Sequence, residues 1–170
     1  GPVSFEVVRL RERGLPGMSD ADLAVFLREM SDLQRESSAL GASLDETAAR
    51  VEAILVALAR ADGGRPELHT EAVSLKKDLA DMQERLRGDP RRRRMKAGGP
   101  VSVNDRLGFG QGSVRGSTYG PTKMHREQLE IGRRDLTELQ SELETVRTTD
   151  LPALEARLDE AGVPWTTGRG

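Results

Sequence analysis

The 170-residue chain predicts an all-α fold: an elongated, antiparallel, coiled-coil-like three-helix bundle with a long ordered-to-flexible loop between the second and third helices. Three observations predict it. First, residues 20 to 61 carry an apolar stripe at heptad spacing, with Leu23, Met30, Ser37, Leu44, Val51 and Leu58 in one seam row and Phe26, Leu33, Leu40, Thr47, Ile54 and Ala61 in the other. Second, two later stretches repeat the same step. Third, aromatics are only 3 % of residues, so a core must be built from Leu, Val, Ile, Met and Ala. That composition suits helix seams and argues against a β-sandwich or an aromatic-lined pocket.

Residues 3 to 18 read as a lead-in from a preceding domain or as a frayed terminus, where Val3, Phe5 and Val7 alternate with polar residues as a weak strand signal. Gly14, Pro16 and Gly17 break any helix there. The chain opens on Gly1-Pro2, the scar left by a rhinovirus-type protease after tag removal, so residues 1–18 read as scar and lead-in and the rest as an excised domain.

The helical bundle spans residues 19–165, followed by a tail at 166–170. Its first helix starts at Ser19, a good N-cap, with Asp20 and Asp22 in the positive first turn, and runs to about residue 61. A helix of about 42 residues is about 63 Å long, more than a compact core needs. Ser37, Ser38, Gly41 and Ser43 make its middle the weak point, which leaves room for a kink but not for a full break, because the heptad phase is the same on both sides. Asp62, Gly63 and Gly64 turn the chain, and Pro66 opens a second helix to residue 87. Its seam is Leu68, Ala72, Leu75, Leu79, Met82 and Leu86, and Gly88 and Pro90 stop it. The short connection implies antiparallel packing.

Residues 88–120 read as the loop. They begin with Arg91, Arg92, Arg93, Arg94 and Lys96 and then turn glycine-rich, with Val101, Val103, Leu107, Phe109 and Val114 available to dock on the bundle. A helical turn is expected at residues 104–109. The third helix spans residues 121–161, with Leu129, Leu136 and Leu143 in one row and Leu139 and Val146 in the other. Beyond Val146 the stripe slips by one residue and continues as Leu151, Leu154, Leu158 and Ala161. The slip falls beside Pro152, which predicts a kink or bulge at residues 148–152. A separate short helix capped by Asp150 is the alternative. Bundle-seam residues are thus Leu23, Met30, Leu33, Leu44, Val51, Leu75, Leu79, Leu139 and Leu143. Ser37 and Thr47 sit where a tight dimer core would want Leu or Val, which favours packing within one chain.

Charged residues are 32 % of the chain in nearly equal signs, for a net charge of -2, a pattern of solvated helix faces that gives no global drive toward nucleic acid. The absence of cysteine excludes disulfides, thiolate zinc sites and cysteine nucleophiles. No apolar run approaches the roughly 18 residues of a membrane span. His69 and His125 lie on different helices without metal-type spacing, and no serine has a histidine partner by any signature, so neither catalytic nor metal residues nor a cofactor are assigned. Gly108, Gly110 and Gly112 lack the strand and the lysine of a phosphate loop. The candidate interaction residues are Arg91, Arg92, Arg93, Arg94, Lys96, Phe109 and Trp165. The arginine run could grip a polyanion or nucleic acid, but it lacks interleaved aromatics. A solvated loop, or contact with acids on the third helix, fits better. Trp165 reads either as an anchor on the bundle end or as a docking residue for a neighbouring domain.

Residues 150–158 (DLPALEARL) and 161–166 (AGVPWT) resemble the C-terminal end of bacterial sortilin-like β-propeller proteins, also called BNR-repeat or glycosyl-hydrolase-like proteins. Pro121-Thr122, the stretch Asn104 to Leu107, and Phe5 to Val7 before a long helix also resemble that family. The arginine run and the glycine-rich segment depart from it. The resemblance implies an accessory helical domain of a secreted or periplasmic protein, following a propeller that would carry any carbohydrate or peptide recognition. The expected function is a non-enzymatic structural or protein-interaction module whose partner is another protein or a neighbouring domain of the same parent. Polyanion or nucleic-acid binding through Arg91–Lys96 is the alternative.

Overall fold

A computed structural model describes residues 2–6, 8, 17–61, 65–115 and 119–163. It is all-helical, with no strand among the described residues. Val3 and Phe5, read above as a weak strand signal, are exposed and unpaired with any sheet, since a strand needs an edge to bond and the helical body offers none.

Helix α1 spans Asp20–Arg60, and the Ser19 hydroxyl accepts the Asp22 N–H at 3.0 Å as its cap. It passes Gly41 as one continuous helix. Gly41 is there because Arg87 packs on it: a Cβ at residue 41 would lie 2.6 Å from an Arg87 guanidinium nitrogen. Helix α2 spans Pro66–Arg87 and ends at Gly88, whose φ of 78° suits only glycine.

Two further helices occupy the stretch expected to be loop. Helix α3 is Pro90–Arg94, and helix α4 is Val103–Arg115, much longer than the single turn expected at 104–109. Helix α4 forms despite its glycines because Val103, Leu107 and Val114 bury against the body, and tertiary burial outweighs the propensity cost of about 1 kcal/mol per glycine.

Helix α5 spans Lys123–Thr145 and continues through a π-helical turn at Val146–Asp150 into helix α6, Leu151–Glu160. The π turn holds the extra residue that the seam requires, and the Leu151 N–H reaches back to the Val146 carbonyl. Asp150 is helical and caps nothing, so the chain bulges rather than breaks. Gly162 (φ 67°) closes α6 in a Schellman arrangement: the Val163 N–H donates to the Leu158 carbonyl at 3.0 Å and the Val163 side chain is buried.

Ion pairs fix the relative directions. Arg133 meets Glu29 at 3.5 Å and Arg50 meets Glu155 at 2.7 Å, so α1 and the α5–α6 unit run parallel. Lys76 meets Glu52 at 2.6 Å and Arg85 meets Glu142 at 2.6 Å, so α2 opposes both. Helix α2 covers the C-terminal half of α1, and α4 covers the N-terminal half. Of the predicted seam, Met30, Leu33, Leu44, Val51, Leu75, Leu79, Leu139 and Leu143 are buried in one core, while Leu23 is partly buried at its margin. Each full burial of such a side chain contributes about 1.5–3 kcal/mol.

Candidate functional site

The basic stretch is organised from its start. After Gly88, Asp89 caps α3 by accepting the Arg91 N–H at 2.7 Å, and Pro90 takes the first helical position. Helix α3 buries no residue. Its arginines divide into two pairs. Arg92 lies 3.6 Å from Asp89, and Arg93 donates to the Arg87 carbonyl at 2.6 Å and to Asp105 at 3.4 Å. Arg91, Arg94 and Lys96 are exposed, and among the described residues no carboxylate lies within ion-pair distance of them. Met95 beside them is 78 % exposed. Of the basic residues from 85 to 96, Arg85 is the one that reaches the acids of α5, Glu138 and Glu142, and these hold its guanidinium above the usual arginine range.

An open cleft of about 700 Å³ lies between the end of α2, α3 and α5. Arg85, Arg92, Arg93, Asp105, Asp135 and Glu138 line it, with Leu139 at its base. Three arginines there face six carboxylates, most of them in ion pairs, and the Ser102 hydroxyl donates to the Asp105 carboxylate at 2.7 Å as part of the α4 cap. Among the described residues no cluster of His, Asp and Glu is suited to hold a metal ion.

Phe109 is 46 % exposed and packs its ring against His125, centroids 5.3 Å apart. His125 is buried and structural: its Nδ1 accepts the Thr122 N–H at 3.0 Å while the Thr122 hydroxyl accepts the His125 N–H at 3.4 Å. This is a capping box with histidine in place of the usual Glu or Gln. His69 is exposed on α2. The structure therefore brings Phe109 to His125, and neither lines the cleft beside Arg92 and Arg93. Trp165 lies outside the described residues.

Two polar pairings not read from the sequence, Ser102 with Asp105 and Ser37 with Asn104, organise the start of α4. The Ser102 hydroxyl accepts the Asp105 N–H at 3.2 Å, and Asp105 accepts the Ser102 N–H at 3.2 Å, a reciprocal cap legible as Ser-x-x-Asp. Ser37, the polar seam residue, donates to the Asn104 side-chain oxygen at 2.6 Å. That seam position is polar because it faces the start of α4.

Comparison with protein-family models, with curated proteins and with solved structures finds no match to this chain.

Proposed function

We propose that this chain is a non-catalytic structural or protein-interaction module, an accessory helical domain of a larger secreted propeller protein of the sortilin-like, BNR-repeat kind. Its architecture is read as a three-helix rod whose third position is shared by α2 and α4. The observation that carries the non-catalytic reading is the use made of the side chains. The apolar rows of α1, α2, α5 and α6 cover one another, His125 serves a helix cap, and most charges at the cleft sit in ion pairs. The tail segment 150–166 supports the propeller context by its resemblance alone.

The test is the parent protein. The reading expects propeller repeats upstream of Val3 and chemical cross-links between them and residues 19–163. It also expects the propeller to unfold at lower temperature once the helical region is deleted. A parent without β-repeats there, or a deletion that leaves propeller stability unchanged and yields no cross-links, removes the accessory-domain reading. A second reading, capture of an anionic partner through Arg91–Lys96, is favoured by one observation: three of those cations are exposed and have no carboxylate partner among the described residues.

A further inference from the structure

We propose that Arg91, Arg94 and Lys96, with Met95, form a docking face for a short acidic segment of another protein. The proposal rests on the anionic-partner reading and names the class of partner. A five-residue helix cannot hold itself in water, where isolated helices need about 12–15 residues to become marginal. Helix α3 is held from outside. Asp89 caps it, Arg93 ties it to the Arg87 carbonyl, and the stem of Arg92 lies against Gly99, where a Cβ would come within 3.3 Å of it. Two arginines brace the turn, and the other two are left over. Arg91 and Arg94 are three residues apart in a helix, so they share one face. Lys96 follows them immediately, at a positive φ of 52° that takes the chain out of the helix.

A braced turn that presents free cations lowers the ordering cost of binding. Guanidinium groups match carboxylates two bonds at a time, and three cations suit a segment with two or three carboxylates. Met95, 78 % exposed beside them, offers apolar contact for a neighbouring side chain of that segment. A long polyanion fits poorly. Nucleic-acid binding gains affinity from many neutralised phosphates along an extended basic track. Here the free cations cover six residues of sequence, and the adjoining cleft is lined by six carboxylates against three arginines, an excess of negative charge that would repel a continuing phosphate backbone.

The experiment uses the whole chain and three fluorescent probes: a short peptide with three Glu and one Leu, the same peptide with Gln for Glu, and a single-stranded oligonucleotide of about 20 nucleotides. Anisotropy is read at about 50 and about 200 mM salt. The acidic peptide is expected to bind, more weakly at higher salt, and the Gln peptide is expected not to. The triple variant Arg91→Glu, Arg94→Glu, Lys96→Glu should weaken peptide binding by roughly tenfold or more, the scale of one charge-assisted hydrogen bond. A charge-matched control, Arg28→Glu with Lys123→Glu and Arg126→Glu at exposed positions of α1 and α5, should bind as the unaltered chain does. Circular dichroism of both variants should show unchanged helix content, because α3 contributes nothing to the core. Tighter binding of the oligonucleotide than of the peptide overturns the proposal, as does peptide binding that survives the triple variant or fails to occur at all. Self-association in sedimentation that the triple variant abolishes would make a second copy the occupant and likewise overturn it. Tighter oligonucleotide binding would overturn the acidic-segment proposal and leave the anionic-partner reading standing, whereas binding of neither probe would remove both.

Discussion

Arg87 holds the Asp45 carboxylate with both terminal guanidinium nitrogens, each 2.8 Å from an oxygen, and so ties the end of α2 to the middle of α1. The same guanidinium lies over Gly41, one turn before Asp45. A glycine that looks like a weak point of a long helix is therefore the space into which its neighbour's side chain fits.

This pair makes stability depend on pH. The hydrogen bond from Arg87 holds the Asp45 carboxyl below its usual range, with the attraction of the Arg87 charge adding to it against the opposing effect of burial. A carboxyl lowered in the folded state stabilises the fold above its unfolded pKa of about 3.9, and that contribution is lost as pH falls through the lower folded value. Because Asp45 is largely exposed, Arg87→Ala should cost no more than about 1 kcal/mol at neutral pH. Thermal unfolding of both chains from neutral pH downward should show the gap closing in strong acid. A gap that persists there would place the Arg87 contribution in its packing on Gly41.

Helix α4 is bound to the core through Leu107, whose side chain would lie 3.1 Å from a Cβ on Gly132 of α5. Leu107→Ala should therefore cost about 2–5 kcal/mol by leaving a cavity. Gly132→Leu should cost about 1–3 kcal/mol by forcing the two helices apart. Urea unfolding reads both. If each change is within about 0.5 kcal/mol of zero, the scale of surface substitutions, α4 does not belong to the cooperative core.

The cap of α5 depends on an acceptor at residue 125. His125→Ala removes it and the contact with Phe109, and should lower stability by about 1 kcal/mol. His125→Gln restores an acceptor of the usual capping-box type and should recover part of that loss. Hydrogen exchange at the Thr122 amide is the direct check: fast in the Ala variant, protected in the Gln variant. Equal protection in both would mean the amide is shielded by burial.

The π turn at Val146–Asp150 accommodates one residue beyond the heptad phase and lies just before Pro152. Deleting Thr148 should bring the apolar rows into a single phase, but an α-helical turn would then set the Pro152 ring against a carbonyl, at a cost of about 3 kcal/mol. The deletion alone should therefore destabilise, and the deletion combined with Pro152→Ala should restore stability to the starting level or above. Denaturant midpoints of the three chains decide it. A double change as unstable as the deletion would show that the bulge is required by packing rather than by the proline.

The long helices were legible because burial demands apolar residues at fixed spacing, and Leu44, Val51, Leu79 and Leu143 could hardly serve anything but a seam. The slip before Leu151 was legible for the same reason, since a helix that keeps facing its core must bulge when a residue is added. Helix α4 was hidden by its glycines, although Ser102 and Asp105 carried a cap signal. Of the basic run, the sequence marked the charge but not its division between bracing and free arginines, because that division depends on where Asp89, Asp105 and the Arg87 carbonyl lie in space.

By itself, then, the sequence determined an all-helical chain, the faces its long helices bury, and the place where the last of them changes phase. These are local consequences of side-chain periodicity. The tertiary structure alone decided that α4 covers the first half of α1, that Ser37 is polar because Asn104 meets it, and that Arg91, Arg94 and Lys96 stand free of carboxylates among the described residues. Each of these rests on a contact between segments far apart in the chain, which helical periodicity does not encode.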